Sequence, residues 1–67
     1  MNIVVNGEAI TLPEHVSTAK NLLEHFQLED RIAIIERNAE IVDKNAYDST
    51  VLSNGDKIEI VHFVGGG

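Results

Sequence analysis

Cysteine is absent from the 67-residue chain, so it can form no disulfide and no side-chain thiol can act as nucleophile, soft metal ligand or redox switch. Tryptophan is absent too, and Phe26, Phe63 and Tyr47 are the whole aromatic complement. The interior must therefore be built from Ile, Val and Leu. A chain this short buries only about 60% of its extended surface, so the core is thin and leaves little room for a buried active site. Bases are few: five Lys and Arg stand against eleven Asp and Glu, a formal charge of -6. That balance opposes binding to nucleic acid phosphates or anionic lipid and favours a basic protein surface as partner. The start, Met1 to Gly7, lacks a basic stretch, and its apolar run is too short for a signal peptide or a membrane span. A cytoplasmic protein without membrane contact is the expectation.

The patterning predicts an α+β domain. Asn6-Gly7 between Asn2 to Val5 and Glu8 to Leu12 signals a hairpin with a type I′ turn. With a two-residue loop Val5 faces Glu8, Ile3 faces Ile10 and Met1 faces Leu12, which puts Met1, Ile3, Val5, Ile10 and Leu12 on one apolar face. Pro13 ends the second strand, since it cannot donate to a ladder. Ser17 or Thr18 is the N-cap of a helix of about ten residues, with Ala19, Leu22, Leu23 and Phe26 forming one apolar stripe. Such a helix is unstable alone and must lie across the hairpin's apolar face. Leu28 plugs its exit, and Glu29-Asp30-Arg31 leads into Ile32-Ala33-Ile34-Ile35. The lack of alternation there predicts an inner strand buried on both sides.

Arg37-Asn38-Ala39 reads as a tight turn before a short strand, Glu40-Ile41-Val42. Tyr47, Val51 and Leu52 are the expected anchors of the polar stretch that follows. Asn54-Gly55-Asp56 is a second turn, and Lys57 to Phe63 the last strand. If Ile58 and Ile60 point inward with His62, then Glu59, Val61 and Phe63 point to the other side. Hairpin, helix, two strands and a final strand give the order of a ubiquitin-like β-grasp. It predicts a mixed four- to five-stranded sheet, one helix across one face, and the first and last strands side by side. The domain spans 1-63, with a flexible glycine tail over 64-67.

No side-chain constellation for catalysis emerges. His15, His25 and His62 are too widely spaced to suggest a metal site, and are read as solvated. Ser17 and Ser49 lack a nucleophile-elbow context, so capping and turn roles are expected of them. The carboxylates are scattered. Asn6-Gly7 and Asn54-Gly55 are turn chemistry and not phosphate cradles.

What remains is the terminus, Gly65-Gly66-Gly67. Alone, such a run fits a frayed end or an expression remnant as well as a function. Its place directly after the last strand, beside apolar Val61, Phe63 and Val64, fits a docking surface that delivers a thin tail into another protein's cleft. Ordinary strand packing is the competing role for those three residues.

Asn6-Gly7, Leu22-Leu23, Asn54-Gly55-Asp56 before Ile58-Glu59-Ile60-Val61, and the ending Val64-Gly65-Gly66-Gly67 together resemble the ThiS sulfur carriers of thiamin biosynthesis. The resemblance runs along the whole chain and is most specific from Gly55 to Gly67. Two departures stand out. The family often has Asn-Gly where this chain has Asn38-Ala39, and often Trp near Tyr47; neither touches the tail.

The resemblance implies that a ubiquitin-activating-like partner uses ATP to adenylate Gly67, while Gly65 and Gly66 thread into partner active sites. Sulfur from a persulfide donor, a cysteine desulfurase, then gives a thiocarboxylate, which supplies thiazole synthase. On this reading the carrier is a co-substrate and not an enzyme, binds no cofactor and leaves ATP to its partner. A chain without thiols also cannot capture its own thiocarboxylate. A carrier for molybdopterin or another metabolite, a ubiquitin-like protein modifier and a non-covalent interaction module stand as alternatives.

Overall fold

The computed structural model describes residues 1-29 and 32-62, the last of these, His62, by its backbone. Five strands and one α-helix appear in the order β1 (Asn2–Val5), β2 (Glu8–Thr11), α1 (Ala19–His25), β3 (Ala33–Arg37), β4 (Glu40–Ile41) and β5 (Lys57–His62), with a 3-10 turn at Lys44–Ala46. The sheet order is β2-β1-β5-β3-β4. Among the described residues only the β1-β5 contact is parallel, through Val4 with Lys57 and Val5 with Ile58. The first and last strands are thus neighbours, as the element order predicts.

The hairpin register is the expected one, Val5 opposite Glu8 and Ile3 opposite Ile10. Asn6 and Gly7 both adopt positive φ, 50° and 82°, which a type I′ turn requires. Leu12 N–H donates to the Met1 carbonyl at 2.8 Å, so the pairing continues one step past β2.

Thr18 is the N-cap of α1. Its hydroxyl accepts from Asn21 N–H, and the Asn21 side chain returns a bond to the Thr18 backbone N–H. This reciprocal pair satisfies two of the free donors of the first turn. Ala19, Leu22 and Leu23 bury against Ile3, Val5, Ile35, Ile58 and Ile60 of the sheet, with Leu12, Val16 and Leu52 closing the margins. The helix has seven residues, shorter than the ten expected. Gln27, at φ 60°, ends it, so Phe26 becomes the C-cap and leaves the buried stripe with 37% of its surface exposed. Leu28 N–H then bonds to the Leu23 carbonyl at 2.8 Å and the side chain packs on the core, in the plugging role foreseen for it.

β3 lies inside the sheet, between β5 and β4, but it is not buried on both sides. Ile35 is fully buried while Ile34 is 40% exposed. A single short helix covers one sheet face and leaves the other to solvent, so β3 alternates in burial although its sequence does not. Val51 also departs from expectation. It forms an isolated bridge with Thr18 and is 61% exposed, while Tyr47 and Leu52 do anchor the loop. The Tyr47 hydroxyl donates to the Ala33 carbonyl at 3.0 Å.

Candidate functional site

The last strand is held at its start by a polar cluster. Asp56 is buried, and its carboxylate accepts from Arg37 Nε at 2.8 Å, Asn38 Nδ2 at 3.1 Å and Ser53 N–H at 2.8 Å. Burial pushes the Asp56 carboxyl up. The hydrogen bonds from Ser53, Arg37 and Asn38, together with the Arg37 charge, outweigh this and hold it below its ordinary value. Asn38 also pairs with Lys57, donating its N–H to the Lys57 carbonyl at 2.8 Å and accepting Lys57 N–H on its side chain at 2.9 Å. The turn between β3 and β4 is thereby tied to the root of β5. Asn38 and Ala39 sit at φ 51° and 71°, a type I′ pair with alanine in a position that suits glycine.

β5 runs from that root with alternating faces. Ile58 and Ile60 are buried beneath the helix, and Val61 points to the bare side with 50% of its surface exposed. The same parity puts Ile34 opposite Val61 and Glu36 opposite Glu59 on the bare face, and Ile41 of β4 opposite Glu36. Ile41 is 72% exposed. The result is an apolar strip, Val61, Ile34 and Ile41, next to two carboxylates that directly face one another. Like charges in that relation are destabilising within the sheet. A partner surface with an apolar centre and basic groups would relieve both the exposed apolar area and the repulsion.

Of the docking residues expected from sequence, the described residues include Val61, which is exposed as expected. Phe63, Val64, Gly65, Gly66 and Gly67 lie outside the described residues. Ile34 is not singled out by its sequence, because the run from Ile32 to Ile35 reads as wholly buried, and Ile41 lies in a short strand whose facing the sequence does not assign. The signal that finds them is the count of helices: one helix leaves one sheet face open. Asp56 was likewise read only as a turn residue, although an aspartate three positions after Ser53 suits a side-chain bond to that backbone N–H.

Ser17 and Ser49 have structural tasks. Ser17 Oγ and N–H both donate to Asn21 Oδ1, and Ser49 Oγ donates to the Ala46 carbonyl. His15 and His25 are exposed, and among the described residues no three His, Asp or Glu side chains are grouped as metal ligands would be. A depression of about 360 Å³ on the helix side is lined by Val5, Asn6, Glu8, Ile10, Phe26, Leu28 and Ile60. Glu8 is the one titratable group among its described lining residues.

A five-stranded mixed sheet with one helix on one face and parallel pairing of its first and last strands inside the sheet defines a ubiquitin-like β-grasp domain. The chain belongs to the ThiS family, whose family model matches residues 1–67. It is 46% identical over 63 residues to the sulfur carrier protein ThiS of Bacillus subtilis, covering 94% of this chain and 96% of that protein. It is 40% identical along its whole length to a segment making up 20% of the thiazole synthase of Paramagnetospirillum magneticum. In three dimensions it is similar to the crystal structure of the thiamine biosynthesis protein ThiS from Geobacter metallireducens. The TM-score is 0.82 at 32% identity, and each chain is covered completely.

Proposed function

We propose that this chain is a sulfur carrier of thiamin biosynthesis whose working group is the carboxylate of Gly67. The observation that carries the reading is the family match along residues 1–67, which includes the glycine terminus. The chemistry follows from that group. A C-terminal carboxyl with a pKa of about 3.3 to 3.7 is ionised at neutral pH and is a poor electrophile, so it needs activation. A ubiquitin-activating-like partner supplies it: a carboxylate oxygen of Gly67 attacks the α-phosphorus of ATP, pyrophosphate leaves, and an acyl adenylate forms. The terminal sulfur of a persulfide, made by a cysteine desulfurase, then bonds to the acyl carbon and AMP departs. Thiol cleavage of the sulfur-sulfur bond leaves the thiocarboxylate.

Thiazole synthase is the proposed acceptor. Its support is the carrier-like segment inside relatives that are themselves thiazole synthases, since joining two activities in one chain favours those that work in sequence. On this reading the carrier is a co-substrate of its partners and takes no cofactor of its own. The division into a β-grasp body over 1-63 and a tail over 64-67 belongs to the same proposal, with Gly65 and Gly66 giving the thinness needed to enter a partner's active site.

Docking is assigned to the bare sheet face, where Ile34 and Ile41 join Val61, and the docking role expected of Phe63 and Val64 belongs to the same proposal. The chain's charge of -6 and the Glu36-Glu59 pair match a basic rim on the partner. Among the described residues no helix is long and apolar enough to cross a membrane. We place the carrier in the cytoplasm, where ATP is available. Deletion of Gly67 tests the pathway: the account expects thiamin auxotrophy relieved by added thiamin, and normal growth without thiamin would refute it.

A further inference from the structure

Asn6 does more than form a turn. β5 has β3 along its length, from Arg37 with Ile58 to Ala33 with His62. On its other side β1 accompanies it only as far as Val5 with Ile58, because the chain turns away at Asn6-Gly7. Along that side, from the residue before β5 to the residue after β1, the bonded groups alternate: the Asp56 carbonyl accepts from Val4 N–H and the Ile58 carbonyl from Asn6 N–H, each at 2.9 Å. Ile60 is next in the series, and no β1 residue remains in the ladder to meet it.

The Asn6 side chain takes that place. Its Oδ1 accepts from Ile60 N–H at 2.8 Å, and its Nδ2 donates to the Ile60 carbonyl at 3.2 Å. A carboxamide offers the same donor and acceptor as a peptide unit, so it serves as one more rung. Aspartate lacks the donor at neutral pH, serine cannot span both groups, and glutamine is one methylene longer. Residue 6 must also adopt φ 50°, which asparagine tolerates better than most side chains. Both demands meet in one residue type.

Ile60 is buried, immediately precedes Val61 of the bare face, and stands seven positions before Gly67. We propose that Asn6 is a positioning residue for carrier activation: its carboxamide holds the outward half of β5 in the sheet. The strand then leaves the domain in a fixed direction, which aims the C-terminal segment at the activating partner's ATP site. This inference rests on the reading of Gly67 as the activated group.

Asn6→Gly removes the carboxamide while accommodating the positive φ, and Thr18→Ala is a control that weakens the helix cap without touching β5. Both are measured in the full chain well below their unfolding temperatures. For Asn6→Gly the expected result is exchange of the Ile60 amide hydrogen at least tenfold faster relative to Ile35. ATP-pyrophosphate exchange with the activating enzyme should also lose about five- to tenfold in kcat/KM, about one kcal/mol or slightly more. Thr18→Ala should leave both near wild type. Asn6→Asp, which keeps the acceptor for Ile60 N–H, should fall between Asn6→Gly and wild type in both readouts. Unchanged Ile60 exchange in Asn6→Gly, or an activity loss no larger than that of Thr18→Ala, would overturn the proposal. If the wild-type chain is not adenylated, the carrier reading fails and the positioning role with it, while the exchange data still decide whether the clamp exists.

Discussion

Val61 on the last strand stands directly opposite Ile34 on its neighbour, and both are exposed on the sheet face that the helix leaves bare. Two β-branched side chains in contact across a ladder stabilise a sheet whether or not a partner covers them. Their exposure is what assigns them a second task. Ile34→Glu or Ile34→Lys should therefore change stability little, within about 1 kcal/mol. The Ile34→Glu variant should weaken binding to the activating enzyme at least tenfold by titration calorimetry. Undiminished affinity would remove this face from the docking surface.

Glu59 opposite Glu36 gives the complementary case. Replacing Glu59 with Lys turns repulsion into attraction and should raise stability by up to about 1 kcal/mol. For a domain of this size that corresponds to a few degrees in Tm, at about 4 to 8 °C per kcal/mol. Affinity for the partner should fall at the same time. A variant that is both more stable and fully active would show that the acidic pair serves neither specificity nor docking.

Ala39, at φ 71°, carries strain that its sequence alone shows only as a departure from Asn-Gly. The left-handed conformation costs a residue with a Cβ about 1 to 2 kcal/mol, and glycine returns about 0.4 to 1 kcal/mol of that as extra unfolded-chain entropy. Ala39→Gly should stabilise the protein by about 0.5 to 1 kcal/mol on balance. Urea denaturation checks this, and a lowered midpoint would contradict the strained-turn account.

Asp56 predicts the acid side of the stability profile. Its folded pKa lies below its ordinary value of 3.8, so the folded state holds the proton less tightly than the unfolded chain does. The stabilisation is therefore complete at neutral pH, begins to decline near the unfolded value and is lost as the pH falls through the folded one. Asp56→Asn should cost about 1 to 3 kcal/mol at pH 7, because the bonds from Arg37 and Ser53 lose a charged acceptor. It should also flatten the decline below pH 4. An unchanged acid limb in denaturation curves would show that another carboxylate governs it.

Much of the fold could be read before any coordinates, for identifiable reasons. Asn6-Gly7 sets register locally, the spacing of Ala19, Leu22 and Leu23 marks a helix stripe, and Ile58, Glu59, Ile60 and Val61 alternate as β5 does. Failures came where burial depends on the number of covering layers. Ile34 reads as core by composition and is exposed because no described element packs on that face. Phe26 continues the helical spacing but lies past the point where Gln27 turns the chain. The Asp56 cluster and the Asn6 clamp join residues far apart in sequence, a kind of contact that periodicity does not encode. Gly67 was singled out by composition and family resemblance.

The central claim concerns Gly67, and intact mass spectrometry tests it most directly. The full chain is incubated with ATP, its adenylating partner, a cysteine desulfurase and cysteine, beside a sample without ATP. The account predicts an ATP-dependent shift equal to one oxygen replaced by sulfur, localised to the C-terminal peptide and absent when Gly67 is deleted. An unchanged mass in the complete reaction, or conjugates to lysine in place of the sulfur shift, would contradict it.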